Sequence, residues 1–122
     1  MKNNKALKLI LITFFTFTYS SNAFSEILYS CKKKNAFINT SYLWTEIEKS
    51  ETGEIIFRYG NGIDTQMLDV FFDTKVTELT PGIYQANDPN FTLDILVKNS
   101  LLSFQIKTDK KNYSKNKFKC GN

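Results

Sequence analysis

Histidine does not occur anywhere in the 122 residues. Its absence removes Ser-His-Asp and Cys-His catalysis, His-containing zinc sites and the commonest general base near neutral pH. Glycine is sparse, with five residues. The one closely spaced pair, Gly60-Asn61-Gly62, lacks the third glycine and the helix signal of a phosphate cradle and reads as a hairpin turn. The longest uncharged, mostly apolar run, Leu9–Tyr19 (LILITFFTFTY), has 11 residues, too few to span a bilayer. Cysteine occurs twice, as Cys31 and Cys120, and tryptophan once, as Trp44.

What is there begins with a leader. Lys2, Lys5 and Lys8 precede the apolar run, and the polar, small-residue stretch SSNAFS follows it. This layout predicts a secretory signal peptide over residues 1–23, with cleavage after Ala23 or alternatively after Ser25. One small domain, residues 24–122, remains. The Lys/Asn/Ile-rich character points to a bacterial source and a periplasmic or secreted destination. In an oxidising compartment the two cysteines are expected to pair. The competing lipidation of Cys31, with Leu28-Tyr29-Ser30 as a degenerate lipobox, fits less well. Eleven residues separate Tyr19 from Cys31, Tyr29 is bulky for a lipobox, and Cys120 would be left alone.

Losing the leader leaves 13 basic against 12 acidic residues, and these are segregated. Residues 26–97 hold six basic and eleven acidic side chains, whereas residues 98–122 hold seven lysines and one aspartate. The Lys-rich end reads first as a solvated strand edge that discourages edge-to-edge association. It reads alternatively as a surface for anionic polymer or lipid, with Lys110, Lys111, Lys115 and Lys117 as the contacts. An exported chain seldom meets nucleic acid, so none is expected as a partner.

Turn signals at Ser50–Gly53, Gly60–Gly62, Thr80–Gly82, Asn87–Asn90 and Asn99-Ser100 divide runs rich in β-branched and aromatic residues. The pattern predicts an all-β domain, a small antiparallel barrel or sandwich of about eight strands. The clearest hairpin is FTLDILVK-NS-LLSFQIKTD, in which Phe91, Leu93, Ile95 and Val97 alternate with polar residues and Leu102, Phe104 and Ile106 do so across the turn. Other strands are expected near 27–32, 36–48, 54–59, 66–72, 75–79, 83–86 and 113–120. Residues 41–49 (SYLWTEIEK) also fit a short helix, since Leu43, Trp44 and Ile47 share a helical face, but strand is favoured. A Cys31–Cys120 bridge would fasten the first strand to the last.

Carboxylates are the remaining catalytic candidates. Asp64, Asp69 and Asp73 are close in sequence, but two of them are expected in turns. Asn87-Asp88-Pro89-Asn90 reads as a turn before it reads as a calcium loop. No enzyme activity, metal or cofactor is therefore expected. The aromatic load suits a core and a binding face alike. Adjacent Phe71 and Phe72 are expected on opposite faces of a strand, which leaves one exposed or covered by another element; Phe72, Trp44 and the Arg58-Tyr59 pair are candidate contacts for a protein partner.

The Tyr29-Ser30-Cys31 strand after the leader, about 100 residues of antiparallel β, and Cys120 two residues from the end together resemble the bacterial periplasmic and membrane-bound inhibitors of c-type lysozyme. That family's Ser-Gly-x-x-Tyr and Trp-x-Lys-Gly stretches are missing here; Pro81-Gly82-Ile83-Tyr84 is the nearest local match. The resemblance implies a disulfide-tied eight-stranded barrel that blocks a lysozyme cleft with loop residues, and it makes Tyr84 a position to test. The expected function is accordingly an exported binding or inhibitor protein that blocks a cell-wall hydrolase, either a host lysozyme or a rival cell's toxin, in which case it is an immunity protein. The alternative is an envelope accessory module that binds anionic polymer or lipid through the Lys-rich C-terminal segment.

Overall fold

The computed structural model describes residues 25–35 and 40–121. The expected leader, residues 1–23, and the expected strand start at 36–39 lie outside the described residues. Eight strands follow one another: β1 (Glu26–Lys34), β2 (Ser41–Lys49), β3 (Ile55–Ile63), β4 (Gln66–Thr80), β5 (Ile83–Asp88), β6 (Phe91–Lys98), β7 (Leu101–Lys107) and β8 (Asn112–Gly121). Each pairs antiparallel with the next, and β8 pairs with β1, so the sheet closes into an up-and-down barrel. Barrel, not sandwich, is the architecture.

Period-two patterning explains why these segments are strands. On β2, Thr45 and Ile47 point inward while Glu46 and Glu48 stay near solvent, which excludes the helical alternative for 41–49. Ile47, Phe57, Leu93, Leu102 and Phe118 are fully buried, each contributing about 1.5–3 kcal/mol by leaving water. Aromatic rings link opposite walls: Phe104 lies 5.2 Å from Phe57 and 5.0 Å from Tyr59, centroid to centroid. Such tilted contacts suit the ring quadrupoles.

The seam between β8 and β1 is short, running over Ser30–Gly121, Cys31–Cys120 and Lys32–Lys119, and the Cys31–Cys120 disulfide lies in its middle. The Cys120 N–H donates to the Ser100 carbonyl at 2.9 Å, on the side away from β1. The two cysteines therefore form a non-hydrogen-bonded pair, the position where antiparallel strands bring side chains closest. The same inward row continues through Thr45, Tyr59 and Phe72. A bridge of this kind belongs to an oxidising environment.

Three expectations need correction. Residues 66–72 and 75–79 form one strand, β4, because Asp73 sits opposite Arg58 on β3 and has a charge partner there instead of a turn to make. Gly60-Asn61-Gly62 is not a turn; it lies inside β3, and the chain reverses at Asp64-Thr65, with Asp64 at φ 52°. Glycine is required there by close approach. A Cβ on Gly60 would stand 1.8 Å from the Asp69 carbonyl oxygen, and one on Gly62 1.9 Å from that of Gln66. Finally, Phe71 and Phe72 do not take strictly opposite faces. The β3–β4 register passes from Tyr59–Phe72 to Gly60–Val70, so Phe71 has no partner of its own. At this bulge both rings lean on interior aromatics, Phe71 on Tyr59 and Phe72 on Phe57 and Phe91.

Candidate functional site

Two surfaces stand out, and both follow from irregularities in the barrel. The first is the long strand β4. One side of β4 pairs with β3 over Gln66–Val76, but its ladder with β5 covers only Thr77–Thr80. Among the described residues, Gln66–Val76 therefore has a strand on one side only. Leu68, Val70 and Phe71 are each more than half exposed on this rim. An apolar strand with an open row of N–H and C=O groups is a template for another chain. The rim carries Asp69 and Asp73, with Asp64 in the adjoining turn, and its one cation, Lys75, is paired with Glu54, so the rim is acidic as well as apolar.

Arg58 sits behind this rim at mid-strand instead of at a loop. It forms ion pairs with Glu46 and Glu48 on β2, and its side chain is mostly covered. Hydrogen bonds, from Ser25 first and then from Arg58, hold the Glu48 carboxyl below its ordinary value. The bond to Glu48 raises the Arg58 guanidinium in turn. Tyr59 and Tyr84 are interior residues. The Tyr84 hydroxyl donates to Glu78 at 3.2 Å, and the Tyr59 hydroxyl meets that of Tyr113 at 3.2 Å. Burial pushes both tyrosine hydroxyls above their usual range. Phe72 is partly buried against the core, and its neighbour Phe71, 56% exposed, is the ring that reaches solvent.

The second surface is a cleft of about 670 Å³ on the outside of the β8–β1–β2 seam. Cross-strand rows assemble it: Lys119 faces Lys32, which faces Trp44, which faces Gly60; beside them Lys34 faces Tyr42, which faces Gly62. The glycines on β3 leave room for the indole, and Trp44 is only 7% exposed although it points away from the core. Lys32 is held in place. Its Nζ donates to the Asp64 carbonyl at 3.3 Å and lies 4.7 Å from the Tyr42 ring centre and 5.7 Å from that of Trp44. Lys33 and Lys117 complete the basic lining, which contains no aspartate or glutamate.

The four C-terminal lysines expected to act together are not together. Lys117 lines the cleft, Lys115 lies over the Tyr113 ring, and Lys110 and Lys111 occupy the β7–β8 turn, where their N–H groups donate to Thr108 Oγ1. The β1 lysines and Tyr42 escaped sequence reasoning because only closure of the barrel brings β1 beside β8. The alternating Lys32, Lys34 and Tyr42, Trp44 pairs were the available signal. The acidic residues are also dispersed: Asp64 is in a turn, Asp69 faces Asn61, and Asp73 faces Arg58. Comparison of the chain with known protein families, with curated proteins and with solved structures finds no match.

Proposed function

We propose that this protein is an exported, non-catalytic binding protein that blocks a basic cell-wall hydrolase through the open rim of β4. The observation that carries the reading is the one-sided pairing of Gln66–Val76, with Leu68, Val70 and Phe71 exposed along it. Strand addition supplies main-chain hydrogen bonds, and the exposed side chains supply apolar contact. Asp69 and Asp73 on this stretch, with Asp64 in the adjoining turn, set the sign of the partner: they favour a basic surface and repel a second copy of the same rim. Lysozyme-type hydrolases meet that requirement, and the layout resemblance to lysozyme inhibitors points the same way. The bridge supports an oxidising, periplasmic or secreted setting. A toxin delivered by a rival cell fits the same chemistry, in which case the protein confers immunity.

The test is calorimetric titration of residues 24–122 against c-type lysozymes and against hydrolases secreted by competing cells. The expected result is saturable binding that Phe71→Asp abolishes. Absence of binding to every hydrolase tested overturns the proposal.

A further inference from the structure

We infer that the basic cleft over the β8–β1–β2 seam is a binding site for a phosphorylated saccharide, separate from the β4 rim. Three features of the cleft carry a cost for the fold. Lys32 and Lys119 stand directly opposite each other in the ladder, an arrangement that destabilises a sheet. Lys117 has φ 62°, in the left-handed region. Among the described residues, the other non-glycine positions with such φ values, Asp64, Asn99 and Ser100, lie in turns between strands, whereas Lys117 is inside β8. It sits at the register shift opposite Leu102–Phe104, and a bulge of this kind re-aims a side chain. The Trp44 Nε1 is buried without a hydrogen-bond partner among the described residues. A buried donor left without an acceptor costs the fold free energy, so this position is not set by stability alone.

The lining selects the ligand. All the cations are lysines, mobile point charges that suit the several oxygens of a phosphate group. Among the described residues, the ion pairs are those of Arg58 and Lys75, so none neutralises a cleft lysine. Ser30, Thr65 and Tyr42 contribute hydroxyls, and Tyr42 and Trp44 contribute aromatic wall, the combination that suits sugar hydroxyls and ring faces. The volume lies within the range of small-molecule sites.

Trp44 is the sole tryptophan of the chain, so its emission reports on this cleft directly. The probes are trehalose 6-phosphate, trehalose, inorganic phosphate, phosphatidylglycerol vesicles and oligothymidylate. Trehalose 6-phosphate is expected to change the emission saturably, at least tenfold more tightly than inorganic phosphate, with trehalose silent. Raising the salt from about 20 to 500 mM is expected to weaken binding severalfold, because the Debye length shortens. K32Q/K119Q is expected to weaken it at least fivefold in protein that still melts in a single cooperative transition. K110Q/K111Q, outside the cleft, is expected to stay within twofold. No saturable response to the sugar phosphate overturns the assignment, as does tighter binding of the vesicles or the oligonucleotide, or an equal loss in K110Q/K111Q.

Discussion

Cys31 and Cys120 stand directly opposite each other on β1 and β8, with their Cα atoms 3.9 Å apart. The seam they fasten has three paired positions, as few as the β4–β5 ladder. Joining residues 89 apart removes closure entropy from the unfolded chain, worth about 4–5 kcal/mol on the loop model. Reduction, or C31S/C120S, is therefore expected to lower stability by about that amount, read from urea titrations, with a larger m-value because the unbridged unfolded chain exposes more surface. The native protein is expected to show no reactive thiol.

Two phenylalanines, Phe57 on β3 and Phe71 on β4, separate stability from binding. Phe57 is fully buried against Phe104, so Phe57→Ala is expected to cost about 3–5 kcal/mol. Phe71 is more than half exposed, and Phe71→Ser is expected to cost about 1 kcal/mol or less while removing hydrolase binding. Chemical denaturation beside calorimetry checks both.

Much of the scaffold was legible in the sequence, because alternation and turn chemistry are local signals. The β6–β7 hairpin follows the expected pattern, with Asn99 and Ser100 at φ 55° and 62° as a two-residue turn of the primed type demands. The misreadings share one cause: the deciding partner lies on another strand. Asp73 resembles a turn residue until Arg58 is found beside it, and Gly60 and Gly62 resemble a turn until the carbonyls of Asp69 and Gln66 are found against them. Of the candidate contacts, Trp44 does line a surface, but the lysines around it come from both ends of the chain. Charge counted along the sequence pointed to the C-terminal segment; the fold places Lys117 in the cleft, Lys115 over Tyr113, and Lys110 and Lys111 in the β7–β8 turn.

Thr45 is buried in the row that holds the bridge, and its Oγ1 has no hydrogen-bond partner among the described residues. Burying a hydroxyl unpaired costs free energy, and valine has the same shape without that group. Thr45→Val is expected to raise stability by about 1 kcal/mol, seen as a higher melting temperature with binding unchanged.

Acid sensitivity is expected to pass through Glu48. Its folded-state carboxyl titrates below the ordinary 4.5, held there by hydrogen bonds from Ser25 and Arg58. The unfolded chain therefore binds the proton more readily, and stability rises with pH across that interval. The contribution is complete above about pH 4.5 and is lost as the pH falls through the lowered folded value. Glu48→Gln is expected to flatten the acid limb of the stability curve below pH 4.5 relative to the wild type.

Amide hydrogen exchange over Gln66–Phe72, with and without a saturating basic hydrolase such as a c-type lysozyme, tests the β4 rim most directly. In the free protein the amides on the open side of β4 are expected to exchange fast, and in the complex at least tenfold more slowly, as an added strand takes up their hydrogen bonds. Unchanged exchange along this stretch in a complex that demonstrably forms, with protection appearing elsewhere on the barrel, would contradict the account.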